Sequence, residues 1–326
     1  MEPLAFPAEP KRLTAAPWVF VSKRESELMD RLAAAGPTLG EISERIFQGL
    51  KTGADSVYIL DRVKETEEAI TVYSKALKRE YVLEPDLLKP LIKGGQMRRY
   101  LIEEPKRWIL FPYRQGERIS AEQIASRCPR TWHYLMENKE QLERREHGKM
   151  RGEKWYEYSR VQALDVMEFP KIITPDVAAS ATFCYDSEGK YYFTGGAAGG
   201  YGVLLRKDIN PAYVLGLLNS KLLDWYLHNK SSRFRGGYFS YEARFIRQLP
   251  IRRIDFDNPE EKKMHDDLVA LVERMLELNK RLRETVGRER EELERKIERT
   301  DREIDELVYR LYGLTEEEIR VVQRQG

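Results

Sequence analysis

Apolar positions recur every three to four residues along two stretches near the C-terminal end. Leu268, Leu271, Met275, Leu278 and Leu282 share one face, and Leu293, Ile297, Ile304, Val308 and Leu311 share another. Gly287 weakens a helix between them, so the spacing predicts two antiparallel helices, 264–285 and 289–311. Gly313 predicts a stop, and Thr315 caps a last short helix from Glu316. A further amphipathic helix opens at Pro211 and runs to Asn229, with Val214, Leu215, Leu218, Leu222, Trp225 and Tyr226 on one side.

Upstream the period changes. Short runs of β-branched and aromatic residues predict strands at 18–21, 57–60, 69–73, 108–111, 171–174, 183–185, 191–193, 203–205 and 249–251. Asp186-Ser187-Glu188-Gly189-Lys190 reads as a turn. Ser22 with Glu25 suits a capping box for a helix to Ala35, which Gly36-Pro37 ends. Glu84–Leu91 reads as a short helical turn, and 121–146 as helix interrupted at Cys128-Pro129. Residues 1–17 are Pro-rich and read as a linker, and 231–240 as a loop.

Composition narrows the class. Eighteen Tyr and five Trp argue against disorder. No apolar run is long enough for a transmembrane helix, and the N-terminal sequence lacks the order of a signal peptide. With only Cys128 and Cys184, a disulfide framework is not expected, and a reducing cytoplasmic setting is. The formal net charge is +2, but residues 257–320 hold 20 acidic against 14 basic side chains. The body before them is therefore net positive, which is compatible with a nucleic-acid partner.

Catalytic signatures are sparse. Asp176 followed by Glu188 and Lys190 has the spacing of a metal-dependent nuclease, in which two carboxylates hold Mg²⁺ and a lysine orients water. The Glu188–Lys190 segment reads as a hairpin turn, whereas that chemistry wants it on a strand. Gly195–Gly200 is followed by an extended segment without Lys-Ser/Thr, so it reads as a loop open to close backbone approach rather than a nucleotide cradle. His133, His147, His228 and His265 are scattered, with no metal-binding spacing, and no Pro-Pro pair occurs.

Three basic loops interleaved with aromatic residues remain: 93–100, 149–160 and 231–241. Lys and Arg neutralise phosphates, Arg reads guanine edges, and glycines let a backbone come close. The same residues also occur on ordinary protein surfaces through stacking and snorkelling.

The order of segments resembles TaqI-like specificity domains, the target-recognition domains of adenine-N6 DNA methyltransferases and fused restriction–modification enzymes. The resemblance runs through IFQGLKTGAD (46–55), LLKPLIKGGQMRRY (87–100), WYEYSR (155–160), FPKIITPDVA (169–178), YVLGLLNSKLLDWYL (213–227), GGYFSYEARFIRQLPI (236–251) and EIDELVYRLYGLTEEEI (303–319). It implies recognition of double-stranded DNA without chemistry in this chain. S-adenosylmethionine and the adenine-specific transfer would belong to a catalytic methyltransferase domain or subunit, with endonuclease activity in some parent enzymes. The expected fold is α+β: a mixed, mainly β recognition body at 18–256 and a helical hairpin tail at 257–326. Candidate contacts are Lys51, Arg98, Arg99, Arg151, Arg160, Arg233, Arg235 and Arg244 for phosphates or guanine edges, with Tyr100, Tyr156 and Tyr238 against sugars or bases. Two alternatives stay open: the nuclease built on Asp176, Glu188 and Lys190, and an interaction module docking through the helical tail.

Overall fold

The computed structural model describes residues 23–196 and 198–324. The expected linker at 1–17, the strand at 18–21 and the cap at Ser22 lie outside the described residues. The fold is α+β, with all strands among the described residues beginning before Ser240 and the longest helices following it. The chain divides into two compact units, one formed by Arg45–Val177 with Phe183–Leu204, the other by the described residues up to Glu44, Ala178–Thr182 and Leu205 onward.

The first unit is built on a six-stranded sheet. Its strands run in the order Tyr192–Phe193, Leu88–Ile92, Arg107–Leu110, Ile59–Glu65, Ile70–Ser74 and Arg79–Leu83. All pairs are antiparallel except the first, and a bulge sits between Arg62 and Lys64. Alternate residues face a core holding Tyr58, Val72, Leu83, Leu91, Ile109 and Phe111, as the period of two requires. Helices at Ala121–Arg127 and Pro129–Glu137 add Ile124, Tyr134 and Leu135 to that core. The Tyr134 hydroxyl is 2.6 Å from the Val57 carbonyl and 3.0 Å from Ser74 Oγ, so its burial leaves no polar atom stranded.

A second sheet in this unit pairs Lys171–Pro175 with Cys184–Asp186 on one side and Gly200–Leu205 on the other. Lys171 is opposite Asp186, and both side chains are buried with Nζ and Oδ2 2.7 Å apart. Lys171 also donates to the Met167 carbonyl at 2.6 Å, while Asp186 accepts from the Lys190 and Tyr191 amides at 3.0 and 2.9 Å. The buried pair is thus fully hydrogen-bonded, the condition under which such charges are tolerated.

This register separates the nuclease candidates. Asp176 follows the end of the strand at Pro175, whereas Glu188 lies beyond the other end, where Lys171 meets Asp186. A five-residue strand of roughly 16 Å stands between them. Gly189 sits at the turn with φ +66°, where an added Cβ would lie 2.1 Å from the Glu168 carbonyl oxygen. Among the described residues no group of three or more His, Cys, Asp or Glu side chains is arranged to hold a metal ion.

The second unit is mainly helical. Helices Pro259–Glu284 and Arg288–Leu311 lie side by side, and Pro211–Asn219 packs on the first of them. Gly216 makes that contact close: a Cβ there would approach Val272 Cγ2 to 2.8 Å. Asn258 caps the first long helix through Glu260 and Glu261 amides, which carries its start upstream of the predicted 264. The helix Lys23–Ala33 joins the last helix, Glu316–Gln323, through an Arg31–Glu318 ion pair of 2.6 Å. No helix among the described residues is long and apolar enough to cross a membrane.

Several local expectations shift. The helix predicted over 211–229 breaks at Ser220, whose hydroxyl accepts from the Leu223 amide and caps a second helix, Lys221–His228. Residues 84–91 form a turn at Pro85–Leu87 and then a central strand, Leu88–Ile92, which Pro90 conceals in the sequence. The expected strand at 249–251 forms a single antiparallel bridge, Pro250 to Thr38.

Candidate nucleic-acid interface

The densest of the three basic loops, in the helical unit, closes as a tight hairpin. Arg233 and Phe239 bridge antiparallel, the Phe234 amide donates to the Tyr238 carbonyl at 2.7 Å, and the Ser240 amide to the Ser232 carbonyl at 3.0 Å. Gly236 and Gly237 make the bend with φ +82° and +79°, a conformation that side chains resist. Nothing crowds Gly237, so conformation rather than space selects glycine there. The hairpin exposes Arg233, Phe234, Arg235 and Tyr238, with Phe234 and Tyr238 each 47% exposed. Arg233 and Arg235 have no ion-pair partner among the described residues.

The base of this hairpin is anchored. Phe239 stacks on His228, whose Nε2 lies 3.1 Å from Asp224 Oδ1, and the Tyr241 hydroxyl donates to the same carboxylate oxygen at 2.7 Å. The Arg233 guanidinium sits 5.7 Å from the Phe239 ring centre. Arg244 is exposed but engaged: its guanidinium pairs with Glu242 at 3.0 Å and lies 4.7 Å from the Phe245 ring centre.

In the sheet unit the candidates divide by burial. Lys51, Arg98, Arg151 and Arg160 are exposed and Arg99 is half-buried. Arg98 pairs with Glu103 at 2.8 Å, Arg160 reaches Glu146 at 3.5 Å, and Arg99 lies 5.6 Å from the centre of the Tyr100 ring. Tyr100 and Tyr156, expected against sugars or bases, are 4% and 1% exposed and belong to the interior. Tyr156 donates to the Ile119 carbonyl at 2.8 Å and packs against Trp132 and Trp155, and burial raises its phenol pKa. Tyr100 is held with φ +61°, its amide donating to the Phe183 carbonyl. Of the three expected tyrosines, only Tyr238 presents its ring to solvent.

Lys51 sits on a loop that the sequence marked by its glycines. The Leu50 amide donates to Phe193, the Gly195 amide to Leu50, the Gly49 amide to Gly200, and the Gly94 amide to Ala198. Three glycine-bearing segments, 49–53, 93–96 and the described residues 195–196 and 198–200, therefore meet in one place. At Gly53 a Cβ would fall 1.8 Å from Ser159 Oγ, so no side chain fits.

Arg145, which falls in the sequence only within the predicted helix 121–146, organises the same region. Its guanidinium donates to the Leu142, Thr52, Trp155 and Glu157 carbonyls at 2.9, 2.8, 2.7 and 2.8 Å. It joins the Lys51 loop to the segment before Arg160. Directly after it, Glu146, His147 and Gly148 all take positive φ, at 49°, 58° and 82°. Such backbone is costly outside glycine and persists where neighbours over-determine it. No periodicity or motif flags Arg145, because its four partners come from separate parts of the chain.

Residues 89–251 match the family model described as the TaqI-like C-terminal specificity domain, half of the chain, and the protein belongs to that family. Among curated relatives it is similar to the Type II restriction enzyme and methyltransferase RM.Eco57I of Escherichia coli, 25% identical over 273 residues, covering 77% of this chain and 27% of the relative. It is also similar to the Type II methyltransferases M.XhoI of Xanthomonas vasicola and M.PaeR7I of Pseudomonas aeruginosa. The first is 24% identical over 72% of this chain and 39% of the relative. The second is 23% identical over 93% of this chain and 44% of the relative. The chain thus spans between about a quarter and under half of the length of these relatives.

Proposed function

We propose that this chain is the sequence-specific recognition part of an adenine-N6 DNA methyltransferase or fused restriction–modification enzyme. It binds duplex DNA beside a catalytic domain or subunit that uses S-adenosylmethionine, in the cytoplasm. The observation that carries this reading is the hairpin 231–240, within the matched family segment. It exposes two arginines and two aromatic rings on a glycine turn, and neither arginine pairs with a carboxylate among the described residues. Phosphate contacts would supply affinity and register, and a few side chains would read bases. Arg233, Arg235 and Tyr238 are the contacts proposed from the helical unit, and Lys51, Arg98, Arg99, Arg151 and Arg160 from the sheet unit. Arg98, tied to Glu103, and Arg244, tied to Glu242, can each reach a phosphate only by exchanging partners.

The test is binding of the 326-residue chain to a pool of random duplexes, followed by sequencing of the retained fraction. Enrichment of one short sequence, with affinity falling steeply as salt rises, is the expected result. Equal retention of all duplexes, or none at low ionic strength, would overturn the reading.

A further inference from the structure

Glycines in this protein nearly always have an internal reason. Most would drive a Cβ into a neighbour or take positive φ. Gly95 has neither: its φ lies outside the left-handed range, and an added Cβ would meet nothing within 4 Å. Flexibility does not explain it either, since the turn is pinned on both sides. The Gln96 amide donates to the Lys93 carbonyl at 2.8 Å, Gln96 Nε2 to the Glu104 carbonyl at 2.7 Å, and the Gly94 amide to the Ala198 carbonyl at 3.0 Å. An exposed glycine in a rigid, side-chain-compatible turn weakens the folded state relative to alanine. It makes sense where something outside the protein must lie against bare backbone.

The neighbouring residue indicates what that is. Lys93 is half-buried and, among the described residues, makes no ion pair. Burial and the nearby Arg107 and Lys75 lower its pKa, against the opposing pull of Asp55 and Asp61. Arg107 and Lys75 are already committed, both pairing with Asp61 at 2.9 and 3.2 Å. Lys51 is exposed on the adjoining glycine loop.

We infer that Lys93-Gly94-Gly95 is a close-approach site for the sugar–phosphate backbone of duplex DNA, with Gly95 giving clearance and Lys93 pairing with a phosphate. This rests on the DNA-binding reading above and adds residues outside the candidate contacts named there. A backbone contact carries no sequence information, so its loss should weaken binding to every duplex alike.

The experiment measures binding of the full chain to a mixed-sequence duplex and to the selected duplex over a range of salt, for wild type, Gly95→Ala, Gly95→Val and Lys93→Gln. The expected result is a melting temperature unchanged or raised in Gly95→Ala, with affinity for both duplexes falling by about tenfold in Gly95→Val. Lys93→Gln should lower the salt slope by about one. If Gly95→Val misfolds, Gly95→Ala and Lys93→Gln still decide the matter. Wild-type binding with unaltered affinity and slope in the folded variants overturns this site alone. No binding by the wild type overturns the DNA reading and this site with it.

Discussion

The His228 imidazole lies flat on the Phe239 ring, centroids 3.6 Å apart and planes 11° from parallel. One residue ends the helix Lys221–His228, the other closes the exposed hairpin, so the stack fixes the hairpin to the helix that precedes it. Asp224 holds the imidazole from below in the same helix, four residues earlier. His228→Ala should cost about 1 kcal/mol of stability and loosen the hairpin, while His228→Phe keeps the stack. Hydrogen exchange at the Phe234 and Ser240 amides checks this: protection should fall in the alanine variant and return in the phenylalanine one.

Arg233 and Arg235 are exposed and make no ion pair among the described residues, so removing both should leave the fold intact. The double variant Arg233→Ala/Arg235→Ala is expected to keep its melting temperature and to lower the salt slope of duplex binding by about two. Anisotropy titrations with a labelled duplex at several salt concentrations measure it. An unchanged slope would remove this hairpin from the DNA contact.

Arg145 differs, because four of its five donors are spent on backbone carbonyls. Its planar fork matches four carbonyls in a way that an ammonium cannot, so Arg145→Lys should not rescue what Arg145→Ala loses. Both variants are expected to unfold at least several kcal/mol more easily, in line with buried carbonyls left unsatisfied. Urea denaturation with tryptophan fluorescence, which Trp155 reports locally, provides the measurement.

Glu84 predicts a pH dependence. Burial raises its pKa, but hydrogen bonds from the Arg130 and Thr131 side chains and from the Thr131 amide outweigh this and bring it to about 2. The Thr131 amide and hydroxyl lie 2.9 and 2.8 Å from Oε2, and Arg130 donates to Oε1. A depressed carboxylate stabilises the fold above its unfolded pKa of about 4.3 and ceases to do so as pH falls through the folded value. Its contribution at neutral pH is on the order of 3 kcal/mol. Glu84→Gln should lower stability at pH 7 and flatten the loss of stability between about pH 4.3 and 2, measured by denaturation at a series of pH values.

The α+β class, the long helices, the Thr315 cap and the three basic loops all follow from patterns a few residues long, and so are visible in the linear chain. Helix periodicity, capping boxes and Pro or Gly punctuation are local physics. The break at Ser220 is local too: its backbone is extended and its hydroxyl caps the following helix, while Gly216 packs closely on Val272 of the long one. The strand Leu88–Ile92 could not be seen because Pro90 argues against it and only its neighbours in the sheet supply the missing context.

Burial sorted the site residues. Tyr100, Tyr156 and Tyr238 look alike in the sequence, each within two residues of a glycine, lysine or arginine, yet two enter the core and one faces water. Composition shows which residues have cations and rings to offer, since those properties belong to the side chains themselves. Which cations remain free, which are consumed by Glu103 or Glu242, and why Gly95 is glycine depend on partners far away along the chain, and only folding brings those within reach.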